Sequence, residues 1–153
     1  MATSRQRVYL DTNIILDMLD HERERHDEAC ALLMYAAERR AGIQLVSSIT
    51  SFKDAYYIMC RLTKDEKAAR NLVRRLMAWC VEPVDMLASY GPAALDSDEP
   101  DFEDALVLTC AMAEGASTII TRDERAFAGA PIDKMAASEF LERAGFDYEA
   151  VDF

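Results

Sequence analysis

Hydrophobic positions along this chain switch between short apolar runs and helical spacing, and the switches mark its elements. Val8-Tyr9-Leu10 is a short apolar run closed by Asp11, after which Ile14, Ile15, Met18 and Leu19 take up helical spacing over Thr12 to Leu19. A second helix is expected over Arg25 to Arg40, with Gly42 as its capping residue. Ile43 to Val46 reads as a strand, followed by helices over about Thr50 to Leu62 and Lys64 to Trp79. Val81 to Val84 reads as a third strand, placed at an edge because Pro83 cannot donate to a ladder. Met86 to Leu95 is expected to be a short helix and Ser97 to Pro100 a charged turn. Phe102 to Glu114 is apolar almost all round and therefore central. Gly115 stops it before a strand over Ser117 to Ile120. Ala130-Pro131-Ile132 adds a last short strand, and Ala137 to Ala144 closes the chain with a helix. Such alternation argues for βαβ units and a parallel sheet.

Carboxylates stand where these elements meet. Asp11 ends the first strand, Asp123 follows Thr118-Ile119-Ile120-Thr121-Arg122, and Asp101 and Asp104 open the apolar helix. In an open parallel sheet the carboxyl ends of the strands share one edge, where ligands bind, so these distant acids become neighbours. Clustered carboxylates must take up protons or hold a cation. Oxygen ligands without cysteine or histidine suit Mg²⁺ or Mn²⁺, ions that acidify bound water and neutralise phosphoryl charge, as phosphodiester hydrolysis requires. Asp101 and Asp104, three apart, share a helix face, while Glu103 points elsewhere. Taken singly, each acid is equally at home as a helix cap or turn residue, stabilised by the helix dipole.

The 153 residues and 51% hydrophobic content suit one domain with a sizeable core, and no run is apolar enough to span a membrane. The opening residues lack an apolar signal core, so a cytoplasmic location is expected. Cys30, Cys60, Cys80 and Cys110 are spaced too widely for a metal motif and are expected to be buried thiols. His21 and His26 are the only histidines, both in a charged segment and expected at the surface, which disfavours a histidine acid/base mechanism. No phosphate-cradling Gly-rich loop and no Gly-x-Ser-x-Gly elbow is present. A net charge of −11 excludes broad phosphate neutralisation as the basis of nucleic-acid affinity. The one basic run places Lys67, Arg70 and Arg74 in a stripe, either a solvated helix face or a phosphate rail.

The motifs Leu10-Asp11-Thr12-Asn13-Ile14, Asp104-Ala105-Leu106 with Ala111 and Gly115, and Ile120-Thr121-Arg122-Asp123 with Phe127 together resemble the PIN domain, the fold of VapC-type toxin ribonucleases. The resemblance runs from about Val8 to Leu141. It implies a three-layer α/β/α sandwich around a mostly parallel sheet, within a single domain over 1–153. It further implies a metal-dependent endoribonuclease acting on single-stranded RNA, with Asp11, Asp104 and Asp123 catalytic and those three plus Asp101 holding Mg²⁺ or Mn²⁺. Thr12, Asn13, Thr121 and Asp54 would orient the ligands from behind. One position departs from the family. A glutamate is usual on the helix after the second strand, and here Lys53 stands in its place, with Asp54 about 100° further round.

If the chain is a toxin of this type, the resemblance implies an antitoxin partner and a homodimer built through the early helices. An antitoxin helix would be expected near Met18, Leu33, Met34, Ile58 and Met59, residues equally suited to the core. Two other readings compete. A non-catalytic nucleic-acid-binding or scaffold PIN domain is favoured by Lys53. A CheY-like receiver would need paired acids after the first strand and a phosphoaccepting Asp, whereas Ile43-Gln44-Leu45-Val46 ends in Ser47.

Overall fold

The computed structural model describes residues 5–38 and 40–149. The expected helix end at Arg40 runs through Arg39, and the expected domain through both termini, so those parts lie outside the described residues. The chain order is β1 (Gln6–Leu10), α1 (Thr12–Leu19), α2 (His26–Ala37), β2 (Ile43–Ser48), α3 (Ile49–Thr63) and α4 (Glu66–Trp79). It continues with β3 (Glu82–Val84), α5 (Tyr90–Leu95), α6 (Phe102–Ala113), β4 (Thr118–Ile120), β5 (Asp133–Met135) and α7 (Ala137–Arg143).

All strand pairs are parallel, in the order β3-β2-β1-β4-β5. The period-two pattern divides the core between the two faces of this sheet. Val8 and Leu10 of β1, Leu45 of β2 and Ile120 of β4 pack beneath α1 to α4 and α7. Tyr9, Val46 and Ile119 face the other way, against Val107, Cys110 and Ala111 of α6. A helical layer on each face of one parallel sheet is the three-layer α/β/α sandwich expected from the sequence. The chain winds outward from β1 in both directions, so the order reverses at β1. In such sheets the crevice at the carboxyl ends of the strands beside the reversal is where ligands bind.

Several element boundaries differ from expectation. The last strand is Asp133–Met135, three residues later than the apolar Ala130-Pro131-Ile132 suggested. Pro131 has no N–H to offer a ladder, and β5 is an edge strand that needs only Met135 to face inward. The helix expected from Met86 begins only at Tyr90, because Pro92 is tolerated in a first turn and not deeper. α2 ends at Ala37 with Glu38 as its cap. Gly42 does not cap it; at φ +62 it turns the chain into β2 and its carbonyl accepts from Gln6 N at 2.8 Å. Cys110 is buried as expected, but Cys80 is exposed and Cys30 and Cys60 only partly covered. His26 is not a free surface residue: its Nδ1 donates to the Asp17 carbonyl at 2.7 Å.

Candidate active site

The crevice edge is assembled from the ends of four elements. β1 delivers Asp11, which is also the N-cap of α1. Its Oδ1 accepts the Thr12 N–H at 2.7 Å, and its Oδ2 accepts Thr121 Oγ1 at 2.8 Å and Asn13 Nδ2 at 3.1 Å. Burial pushes the Asp11 carboxyl above its usual range, partly offset by these donors. The segment after β4 delivers Asp123. Its amide donates to Thr121 Oγ1, and its Oδ1 accepts the amides of Arg125 at 2.8 Å and Ala126 at 3.1 Å. Those two amides hold the exposed Asp123 below the usual carboxylate range.

The N-terminus of α6 supplies Asp101 and Asp104. Asp101 is the N-cap, its Oδ1 accepting the amides of Glu103 and Asp104 at 2.9 and 3.0 Å. Asp104 projects inward from the first turn. Burial, followed by the charges of Asp101, Asp11, Glu99 and Asp123, pushes its pKa up to about 6. Asp104 is thus the electrostatic centre of the cluster. The capping reading of Asp11 and Asp101 is realised in full. Among the described residues, both oxygens of Asp104 and Oδ2 of Asp101 and Asp123 accept no hydrogen bond.

Behind these acids lies a polar layer. Thr12 Oγ1 donates to Ser51 Oγ at 2.9 Å, tying α1 to the start of α3, and Ser48 caps α3 through the Ser51 amide at 3.2 Å. Asn13 reaches across to the β4 end, its Oδ1 accepting the Arg122 amide at 3.2 Å. Lys53 is exposed and its Nζ sits 2.9 Å from Asp54 Oδ1. Asp54 lies three residues after Ser51, on a neighbouring part of the α3 face, and is half-buried. On α4, Lys67, Arg70 and Arg74 are all exposed, with Arg70 held by Glu66 at 2.7 Å and Arg74 by Asn71 at 3.1 Å. Met18 and Met59, expected near a partner groove, are core residues, whereas Met34 is exposed.

Two features escaped the sequence reading. Glu99 presses on Asp104, and its Oε2 also accepts the amide of Phe127 at 3.0 Å, a buried residue held at φ +61. Asp17, 1% exposed, receives Arg23 Nε at 2.6 Å and Arg122 Nη1 at 2.9 Å, anchoring the residue before Asp123. Nothing in local spacing distinguishes Asp17 from other polar positions of α1, because both partners come from outside the helix.

The donor set, oxygen only and crowded with negative charge, matches the chemistry of a hard divalent cation. Among the described residues, no three acids converge closely enough as they stand to hold a metal ion.

The family model described as "PIN domain" matches residues 7–125. This chain belongs to the PIN domain family. No curated protein matches the sequence. Among solved structures, VapC20 of Mycobacterium tuberculosis, described as a sarcin-ricin loop cleaving toxin, superposes with a TM-score of 0.63 at 17% identity, covering 82% of this chain and 95% of that one. VapBC2 of Rickettsia felis, solved on promoter DNA, gives 0.63 at 17% identity over 86% and 98%. A toxin-antitoxin complex from Klebsiella pneumoniae gives 0.61 at 20% identity over 85% and 97%. At these identities the likeness is one of fold. No described helix of this PIN domain is long and apolar enough to cross a membrane.

Proposed function

We propose that this PIN domain is a divalent-metal-dependent endoribonuclease acting on single-stranded RNA. The observation that carries the reading is Asp104, whose partial burial, together with the charges of Asp101, Asp11, Glu99 and Asp123 around it at the strand-end crevice, lifts its pKa to about 6. A cluster so short of positive charge gains most from a cation. Asp11, Asp104, Asp123 and Asp101 would hold Mg²⁺ or Mn²⁺, which when bound acidifies water and neutralises charge on the scissile phosphate.

The chain's own residues have separable tasks in this reading. Thr121 and Asn13 fix the Oδ2 edge of Asp11 and the Thr12 amide fixes Oδ1, so the carboxylate is oriented before any ligand arrives. The amides of Arg125 and Ala126 keep Asp123 ionised. Asp104, lacking such donors, is the member whose charge responds most to a cation. Asp54, next to Lys53, supports the cluster from α3, and Lys67, Arg70 and Arg74 offer phosphate contacts on α4.

The VapC structures are toxins or toxin complexes, and by analogy an antitoxin and a homodimer are proposed here as partners, with a cytoplasmic site of action. A second reading, a non-catalytic scaffold, is favoured by Lys53 and by the loose convergence of the acids. One assay separates the two. Labelled single-stranded RNAs are incubated with the wild-type chain in Mg²⁺, Mn²⁺ or EDTA, alongside Asp104→Asn. Cutting that needs metal and is lost in the variant supports the nuclease. Intact RNA in every lane supports the scaffold.

A further inference from the structure

α3 leaves the acid cluster carrying its own pattern on the solvent side. Lys53, Tyr57 and Arg61 are all exposed and follow one another at spacings of four, which stacks them on one helix face, and the exposed Lys64 follows as the left-handed C-cap of α3. The Tyr57 ring is 57% exposed, an unusual position for an aromatic side chain with no covering element. Between Lys53 and Arg75 the chain has seven basic and three acidic residues, a net +4 within a protein of −11. Elsewhere cations are largely spent on acids: Arg7 on Glu114, Arg23 and Arg122 on Asp17, Arg143 on Glu139. Among the described residues, Arg61 and Lys64 make no ion pair.

The stripe starts beside the cluster. The Lys53 ammonium bonds Asp54 and also feels the charge of Glu103, the residue before Asp104 on α6. The hydroxyl bond from Thr12 to Ser51 at 2.9 Å ties the first turn of α3 to α1 beside Asp11, so Lys53, two residues on, starts the stripe at the cluster's end of the helix. Further along, Tyr57 is braced edge-on by Tyr56 at a ring separation of 5.1 Å and an interplanar angle of 66°. Tyr56 is in turn fixed by donating to Glu66 at 3.0 Å, and an open groove of about 590 Å³ lies between Tyr56, Tyr57, Lys64 and Arg70. Cations interleaved with a propped aromatic ring suit a single strand, whose phosphates meet the charges while a base stacks on the ring. A duplex would hide its bases from Tyr57.

We propose that the Lys53-Tyr57-Arg61 face of α3, with Lys64 at its C-cap, is the track that holds single-stranded RNA beside the acid cluster, with a base on Tyr57. The proposal rests on the nuclease reading for its substrate class. It also gives Lys53 a role, as the first phosphate contact outside the cluster.

The test is fluorescence anisotropy with a fluorescein-labelled single-stranded 12-nucleotide RNA, in an Asp104→Asn background that leaves the probe intact. Arg61→Ala/Lys64→Ala is expected to weaken binding about tenfold and to reduce the slope of log affinity against log salt by about 1.4, two phosphate contacts on a single strand. Tyr57→Ala is expected to lose about tenfold and Tyr57→Phe little, because stacking needs the ring and not the hydroxyl. Arg5→Ala/Arg40→Ala removes the same charge outside the Lys53 to Arg75 segment and should stay within about twofold. Binding unchanged in the α3 variants, or an equal loss in the control, overturns the track. A parent that binds through α3 while the wild-type chain cuts no RNA with either ion supports the track and sinks the nuclease reading. Metal-dependent cutting with an unchanged KM in the α3 variants sinks the track and leaves the nuclease.

Discussion

The hydroxyl of Thr121 donates to Oδ2 of Asp11 at 2.8 Å, joining two positions 110 residues apart. The Thr121 hydroxyl oxygen itself accepts the amide of Asp123 at 3.0 Å. One side chain thus sets the relation between the acid that ends β1 and the acid that follows β4. Thr121→Val keeps the shape and removes both bonds. Loss of one buried bond and exposure of an unpaired amide should cost about 1–2 kcal/mol in denaturant unfolding. RNA cleavage should fall far more than stability predicts, because Asp11 and Asp123 lose their common anchor. Cleavage that falls only in step with the folded fraction would show that the anchor is structural alone.

Asp104 predicts a pH dependence that can be read without any metal. Its folded pKa, about 6, lies above the ordinary carboxylate value, so between about pH 4 and 6 the folded chain binds more protons than the unfolded one. Stability from this group is therefore present at acid pH and lost as pH rises through 6. Asp104→Asn removes the penalty. In EDTA, the variant should melt higher than wild type at neutral pH and equally at about pH 4, with the gap opening across that window. Adding Mg²⁺ at neutral pH should raise the wild-type melting temperature and move the variant little. A gap that is constant with pH would mean that Asp104 is not the crowded member of the cluster.

Asp17 carries the main buried ion pair outside the crevice. It is 1% exposed, and both of its guanidinium partners, Arg23 and Arg122, keep 28% of their side-chain surface in solvent. Asp17→Asn leaves Arg23 without a counter-charge and Arg122 with only Glu24 at 4.0 Å, at a cost of about 2–4 kcal/mol because the arginines retain access to water. Urea unfolding measures it. A change under about 0.5 kcal/mol would mean that desolvation of Asp17 already cancels the pairing.

Much of this site could be seen in the sequence because strand ends and helix starts announce themselves. Asp11 and Asp123 each follow an apolar run, and Asp104 opens a helix whose period is plain. The parallel order of the sheet then brings them to one edge. Other parts depend on contacts that local pattern cannot carry. Asp17 looks like any polar position of an amphipathic helix until Arg122 arrives from 105 residues away. The strand near Pro131 was placed by apolarity, but β5 is set by the proline's missing donor and by edge pairing with β4. Lys53 read as a lost ligand because its family position is acidic. Its surroundings show an exposed cation paired with Asp54 on α3.

Glu99 links the charge of the cluster to the shape of the loop beside it. Its Oε2 accepts the amide of Phe127 at 3.0 Å, and Phe127 is both buried and held at φ +61, where a bulky residue is strained. Its charge also raises the pKa of Asp104. Glu99→Gln separates the two effects, since the amide oxygen still accepts from Phe127 while the charge is gone. The expected outcome is a lower Asp104 pKa in a carboxyl-resolved NMR titration, with near-wild-type stability. Glu99→Ala should lower that pKa as well and additionally destabilise the fold by about 1–2 kcal/mol, because the Phe127 amide loses its partner. If Glu99→Gln unfolds as readily as Glu99→Ala, the ionised carboxylate itself holds the strained turn. The crowding around Asp104 would then be the consequence of a structural need at Phe127, and the loop would depend on a charge that the crevice must tolerate.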